Sequence, residues 1–299
     1  MSAPASSASL PRRISTWLHR HPRAQLGLLL SGPVGWLLIA YLGSLAALMV
    51  ASIWQLDPFT AEIVREPSVG NFRTLVTQKA YLDITLRTVA IALLVTLTDA
   101  LLAFPIAYYM SRVAAPRTRS LLVVGILMPL WASYLVKVYV WRTILGNEGL
   151  VNWALSPFGL RIPATGDTAD LFRVWLVFSY LWLPYMILPI YAGLERIPNS
   201  LLEASGDLGA KALTTFRRVV LPLVLPAVVA GSIFTFSLTL GDYITPSLVS
   251  NSQFIGNAIF RDMGVANNLP LAAAFATVPV AIMIVYLLVA RRMGAFEAL

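Results

Sequence analysis

Cysteine is absent from this 299-residue chain, histidine occurs only twice, and charged residues make up just 12% of it. Without cysteine there is no disulfide, no thiolate metal site and no cysteine nucleophile. Both histidines, His19 and His21, lie in a basic stretch near the start, which removes the usual zinc motifs and the Ser-His-Asp triad. No G-x-x-x-x-G-K-[ST] loop occurs, so ATP is not bound by that route. No Ser-Lys or paired-Asp motif points to an enzyme, and neither a metal ligand set nor a cofactor is expected. A soluble domain would carry roughly a quarter charged residues, about twice what is found.

Apolar sequence fills the gap, at 58% of the chain. Six runs, at about 26–54, 84–111, 120–145, 172–195, 219–243 and 269–290, are long enough to be membrane-spanning helices. The expected fold class is therefore all-α, a polytopic membrane protein with six transmembrane helices. The first run is too long for a signal-peptide core of about 7–15 residues, so it reads as a retained span behind a basic, disordered leader. Asp99 falls inside the second run, and Lys137 and Arg142 toward the far end of the third. Prolines stand in or beside most runs, a pattern that bundled spans tolerate.

The net charge of +8 has a topological reading. Arg12, Arg13, Arg20 and Arg23 precede the first run. Arg112, Arg117 and Arg119 join the second to the third, Arg196, Lys211, Arg217 and Arg218 the fourth to the fifth, and Arg291 and Arg292 follow the last. The opposite connections are rich in acids, among them Asp57, Glu62, Glu66, Glu148, Asp167, Asp170 and Asp262. By the positive-inside rule both termini are cytoplasmic. The basic residues then serve orientation and membrane lipid rather than nucleic acid.

One polar connection is longer and more structured than a connector requires: "LLEASGDLGAKALTTFRRVVLP", residues 201–222. Ser200 and Glu203 have capping-box spacing, which predicts a helix from there to about Leu208. Gly209 supplies a turn, "AKALTTFRRV" a second short helix at roughly a right angle, and Leu221-Pro222 entry into the next span. Ala204 and Ser205 keep one face flat, while Glu203 and Asp207 charge the adjacent one.

The spacing Glu203-Ala204-Ser205, three residues, Gly209, nine residues, Val219, one residue, Leu221-Pro222 resembles the cytoplasmic signature E-A-A-x3-G-x9-I-x-L-P of binding-protein-dependent ABC transporter permeases. Ser205 and Val219 depart from it conservatively. The resemblance implies a type I ABC importer permease fold and a permease domain over 26–295, with cytoplasmic tails at 1–25 and 296–299. It makes the segment at about 198–218 a coupling helix, with Glu203, Ala204, Ser205, Asp207 and Gly209 contacting a separate ATPase. The implied partners are a second homologous permease, two ATPase copies and a periplasmic or lipid-anchored binding protein, all in a bacterial inner membrane.

"YLWLPYMILPIYAGLERIP", "LGDYITPSLVS" and "NNLPLAAAFA" look like segments of spermidine/putrescine permeases. Lys137 and Ser250-Asn251 depart from that subfamily. A polyamine path needs separated carboxylates and aromatic faces. The candidates are Asp99, Asp242, Tyr243, Trp182 and Tyr185, with Tyr108, Trp131 and Tyr134 behind them. Asp99 has a structural alternative, pairing with Lys137 or Arg142. Other solutes stay open (an opine, an amino-acid derivative, thiamine, ferric iron), as does an ion-coupled carrier built on Asp99 or Asp242. Such a carrier calls for inverted repeats, and the sequence displays none.

Overall fold

The computed structural model describes residues 20–163 and 166–295, so most of the basic leader and the tail at 296–299 lie outside the described residues. Among the described residues, five helices are long and apolar enough to cross a membrane: α1 (Pro22–Ser52), α3 (Lys79–Val113), α7 (Asp167–Glu195), α9 (Ala212–Gly241) and α12 (Leu269–Arg292). Between α1 and α3 come a two-stranded hairpin, β1 (Gln55–Leu56) and β2 (Ile63–Val64), and the short α2 (Gly70–Thr77). Beyond α3 lie α4 (Pro116–Trp131), α5 (Tyr134–Ile144) and α6 (Leu150–Leu155). Between α7 and α9 lies α8 (Asn199–Asp207), and α10 (Ile244–Val249) and α11 (Ile255–Gly264) lead into α12.

The third expected span, 120–145, is not one rod. It is α4 and α5, bent by 94° across a break of two residues. Ala132 and Ser133 are both extended, with ψ of 142° and 132°, so the helical ladder stops. Pro129 has already removed a donor from the last turn of α4. The apolar run continues through the break, which is why hydropathy alone does not reveal it.

The centre of the molecule is α3, α7 and α9, packed on one another. Small residues allow the approach of α7 and α9. A Cβ at Gly193 would stand 2.5 Å from the Ala227 Cβ, and one at Gly231 would stand 2.9 Å from the Met186 sulfur. Where lipid is as apolar as leucine, close backbone packing is what holds helices together. The buried core here combines Ala103, Ala107 and Met110 of α3, Met186, Ile190 and Leu194 of α7, and Val224 and Ala227 of α9. By contrast α1 is almost wholly exposed and packs on α12 through its second half.

Candidate functional site

Two places hold the residues singled out above. The first is α8 and its junctions. Pro198, with φ −69° and ψ 144°, turns the chain out of α7, and α8 begins directly at Asn199. The expected Ser200–Glu203 capping box does not form, since no side chain caps this helix. Proline supplies the entry geometry instead, and the Asn199 side chain is used elsewhere: its Oδ1 accepts from Arg112 at 2.7 Å. At the other end Gly209 takes φ +75°, a left-handed conformation costly for residues with a Cβ. The N–H groups of Gly209 and Ala210 donate to the carbonyls of Gly206 and Ser205 at 2.8 and 3.1 Å. This closes the helix as a Schellman motif.

The second short helix expected after Gly209 is instead the first turns of α9. The chain runs unbroken from Ala212 to Gly241 through one wide, π-type turn at Phe216–Val220. Pro222 accounts for that turn, because its ring cannot sit over the carbonyl four residues back in a regular ladder. A hydrogen bond of 2.8 Å between the hydroxyls of Ser205 and Thr215 pins α8 to α9. Glu203, Ala204, Asp207 and Gly209 are therefore exposed on one small platform, while Ser205 turns partly inward. Leu208, 88% exposed, and Leu213, 60% exposed, add apolar surface beside them. A rigid, mixed polar and apolar knob of this kind suits docking against another protein.

The second place is the bundle interior. Asp99, on α3, is 0% exposed. Neither of its carboxylate oxygens has a hydrogen-bond partner, and the buried Ser179 hydroxyl and Trp182 indole N–H of α7 are also unpaired. Ser179 lies beside the Asp99 carboxylate without completing a bond to it. Unpartnered buried polar atoms are rare and call for a reason. The structural alternative fails, since among the described residues Asp99 forms no ion pair with Lys137 or Arg142.

Trp182 stacks on Tyr134 at 6.1 Å and on Phe178 at 6.3 Å, and meets Tyr185 edge-on at 5.9 Å. The Tyr134 hydroxyl donates to the Asp242 carboxylate. Two expected residues, Trp182 and Asp242, thus meet at Tyr134, which residue type alone ranked behind them, and Tyr185 joins through Trp182. Asp242 is heavily engaged. It also accepts from the N–H groups of Ile244 and Thr245 at 2.8 and 3.2 Å, and from the Thr245 hydroxyl at 3.0 Å. It thereby caps α10. Tyr243 points elsewhere, stacked on Phe260 at 5.0 Å. Tyr108 stacks on Phe104, and Trp131 is 89% exposed at the end of α4. Arg142 borders a polar cavity of about 370 Å³ with Asn147, Arg173 and Asn251.

Sequence reasoning missed Ser179, the central place of Tyr134, and Arg112. No local signal marks them, because each acquires its role from a partner on another helix.

Residues 92–295 match the family described as binding-protein-dependent transport system inner membrane component. The chain is 44% identical over 300 residues to the inner membrane ABC transporter permease protein YdcU of Escherichia coli strain K12, covering 96% of this chain and 95% of that one. It is 30% identical over 196 residues to the spermidine/putrescine transport system permease protein PotB of Haemophilus influenzae, covering 65% and 68%. A solved bacterial ABC transporter involved in import of the acidic polysaccharide alginate superposes with a TM-score of 0.71 at 19% identity, over 94% of this chain and 98% of that one. That likeness fixes the type I importer permease fold, and the sequence matches fix the family. The chain belongs to the inner membrane components of binding-protein-dependent transport systems, as a multi-pass permease subunit of an ABC importer.

Proposed function

We propose that this permease forms half of the translocation path for spermidine, putrescine or a related small cation, and that a separate ATPase drives it through α8. The observation that carries the coupling role is the exposed platform of Glu203, Ala204, Asp207 and Gly209, held to α9 by the Ser205–Thr215 hydrogen bond. A knob so braced moves as a rigid body. ATP-driven closure of two ATPase copies displaces α8 and tips this subunit against a second, homologous permease, alternating inward- and outward-facing states. A periplasmic or lipid-anchored binding protein delivers solute to the outward-facing state. In this arrangement α8 and both termini face the cytoplasm, residues 26–295 form one permease domain, and the tails at 1–25 and 296–299 are cytoplasmic.

Polyamine chemistry is supported by the relatives named for spermidine and putrescine and by the interior. Asp99 has two unspent carboxylate oxygens in a water-poor setting, where an unpaired carboxylate is expensive. An ammonium group passing as α3 and α7 part would relieve that cost. Trp182 and Tyr185, with Tyr134, offer faces for cation–π contact nearby. Asp242 already accepts four hydrogen bonds, so its contribution is the field of its charge, with Tyr243 at the margin.

The test is uptake of radiolabelled spermidine into proteoliposomes holding the whole complex and its binding protein. Uptake that requires ATP and disappears in Glu203→Lys supports both halves of the proposal. ATP hydrolysis stimulated by the binding protein without spermidine uptake overturns the polyamine assignment. Uptake driven by an ion gradient without ATP overturns the importer mechanism.

A further inference from the structure

Arg112, in the last turn of α3, makes contacts that ordinary membrane-orienting arginines do not need. One guanidinium nitrogen donates to Asn199 Oδ1 at 2.7 Å, at the first residue of α8. The other donates to the carbonyls of Leu194 and Ile197 at 2.6 and 2.8 Å, at the C-terminal end of α7. The last carbonyls of a helix have no partner within it, and an arginine fork is shaped to take two acceptors at once. A single charged group thus binds the ends of three helices: α3, α7 and α8. Arg119 braces the same corner from α4. Its Nε and Nη2 donate to the carbonyls of Met110 and Ser111 at 2.9 and 3.0 Å, and it pairs with Glu195 at 3.5 Å.

We infer that Arg112 is the positioning residue that passes the displacement of α8 on to α3. The inference rests on the coupling role proposed above. The covalent path from α8 runs to α7 through residues 196–198 and to α9 through residues 208–211. It does not run to α3, whose inner end is separated from Asn199 by 87 residues of chain. The Arg112–Asn199 hydrogen bond closes that gap. From Arg112, α3 climbs thirteen residues, about 20 Å at helical rise, to Asp99. Pro105 stands between them and removes one rung of the ladder, a natural place for α3 to bend when its end is pulled. The link is mechanical, two hydrogen-bonded arms held by one planar fork. Lysine cannot reproduce it, because its point charge cannot hold Asn199 and the α7 carbonyls together.

The chain has no native cysteine, so spin labels placed at Tyr109 of α3 and Leu288 of α12, both exposed, report the motion of α3. The complex is isolated with its ATPase in lipid nanodiscs, and the distance is measured before and after ATP plus vanadate. The unaltered complex is expected to show a shift in the interlabel distance. In Arg112→Lys and in Asn199→Ala the shift is lost or reduced, ATPase co-purification is unchanged, and ATP hydrolysed per spermidine imported rises roughly fivefold or more. Asn199 is exposed, so its truncation cuts the α8 arm without touching the contacts to α7. An undiminished shift and an unchanged ratio in Asn199→Ala overturn the inference. Absence of any ATP-dependent shift in the unaltered complex removes the coupling role itself, and the inference with it.

Discussion

Tyr134 and Asp242 stand 108 residues apart in the chain and are joined by a hydrogen bond from phenol to carboxylate. The bond ties α5, the second limb of the bent pair, to the start of α10. It also sets the ring of Tyr134 against Trp182.

Asn at position 242 preserves an oxygen for the two backbone N–H groups of α10 while removing the charge. Asp242→Asn is therefore expected to leave assembly of the complex intact and to lower spermidine uptake. Asp242→Ala loses the cap as well and is expected to cost about 1–2 kcal/mol, read as a lower unfolding temperature in detergent. Uptake equal to the parent's in Asp242→Asn would take this carboxylate out of the path.

Charge reversal on the α8 platform has a separate signature. Glu203 is exposed, so Glu203→Lys should insert and fold normally. Stimulation of ATP hydrolysis by the loaded binding protein should fall to the basal level. Full stimulation in this variant counts against docking through α8.

Backbone geometry at Gly209 offers a graded test. With φ at +75°, Gly209→Ala places a Cβ in the left-handed region at a cost of about 1–2 kcal/mol. Asparagine tolerates that region better, so Gly209→Asn should retain more stimulated ATPase activity than Gly209→Ala. The reverse order would mean that the turn is not what positions α8.

Packing of α7 on α9 can be broken and repaired. A Cβ at Gly193 would meet the Ala227 Cβ at 2.5 Å, so Gly193→Ala should lower the unfolding temperature by forcing the helices apart. Adding Ala227→Gly removes the opposing methyl and should restore most of the loss. Additive damage in the double variant would point to another cause.

Asp262 supplies a pH dependence. Burial raises its pKa above the ordinary 3.8, against the lowering effects of the Tyr81 hydroxyl and Arg261. A raised acid favours folding at low pH, and this contribution is lost as pH climbs through the folded value. Asp262→Asn should therefore melt higher than the parent at neutral pH, with the gap closing as pH falls toward 3.8. An equal gap at both ends of the range would exclude titration as its source.

Apolar runs and the spacing from Glu203 to Pro222 were sufficient to indicate the spans and the α8 segment, because both are written in consecutive residues. Each depends on local physics: hydrocarbon thickness for the runs, and turn chemistry for Pro198 and Gly209. The break at Ala132-Ser133 lay hidden because both limbs of the bend are equally apolar. The Ser200–Glu203 box fits the sequence pattern, yet proline geometry governs the start of α8, and the neighbouring Asn199 side chain serves Arg112.

By itself, then, the sequence determined a chain of membrane-crossing helices with a structured polar segment between two of them. Tertiary structure alone decided that Arg112 reaches Asn199, that Tyr134 reaches Asp242, and that Asp99 faces Ser179 without a counter-charge. The reason is reach. Hydropathy and turn signals act over a few residues, whereas these contacts join groups separated by 80 or more and exist only once α3, α7 and α9 have packed.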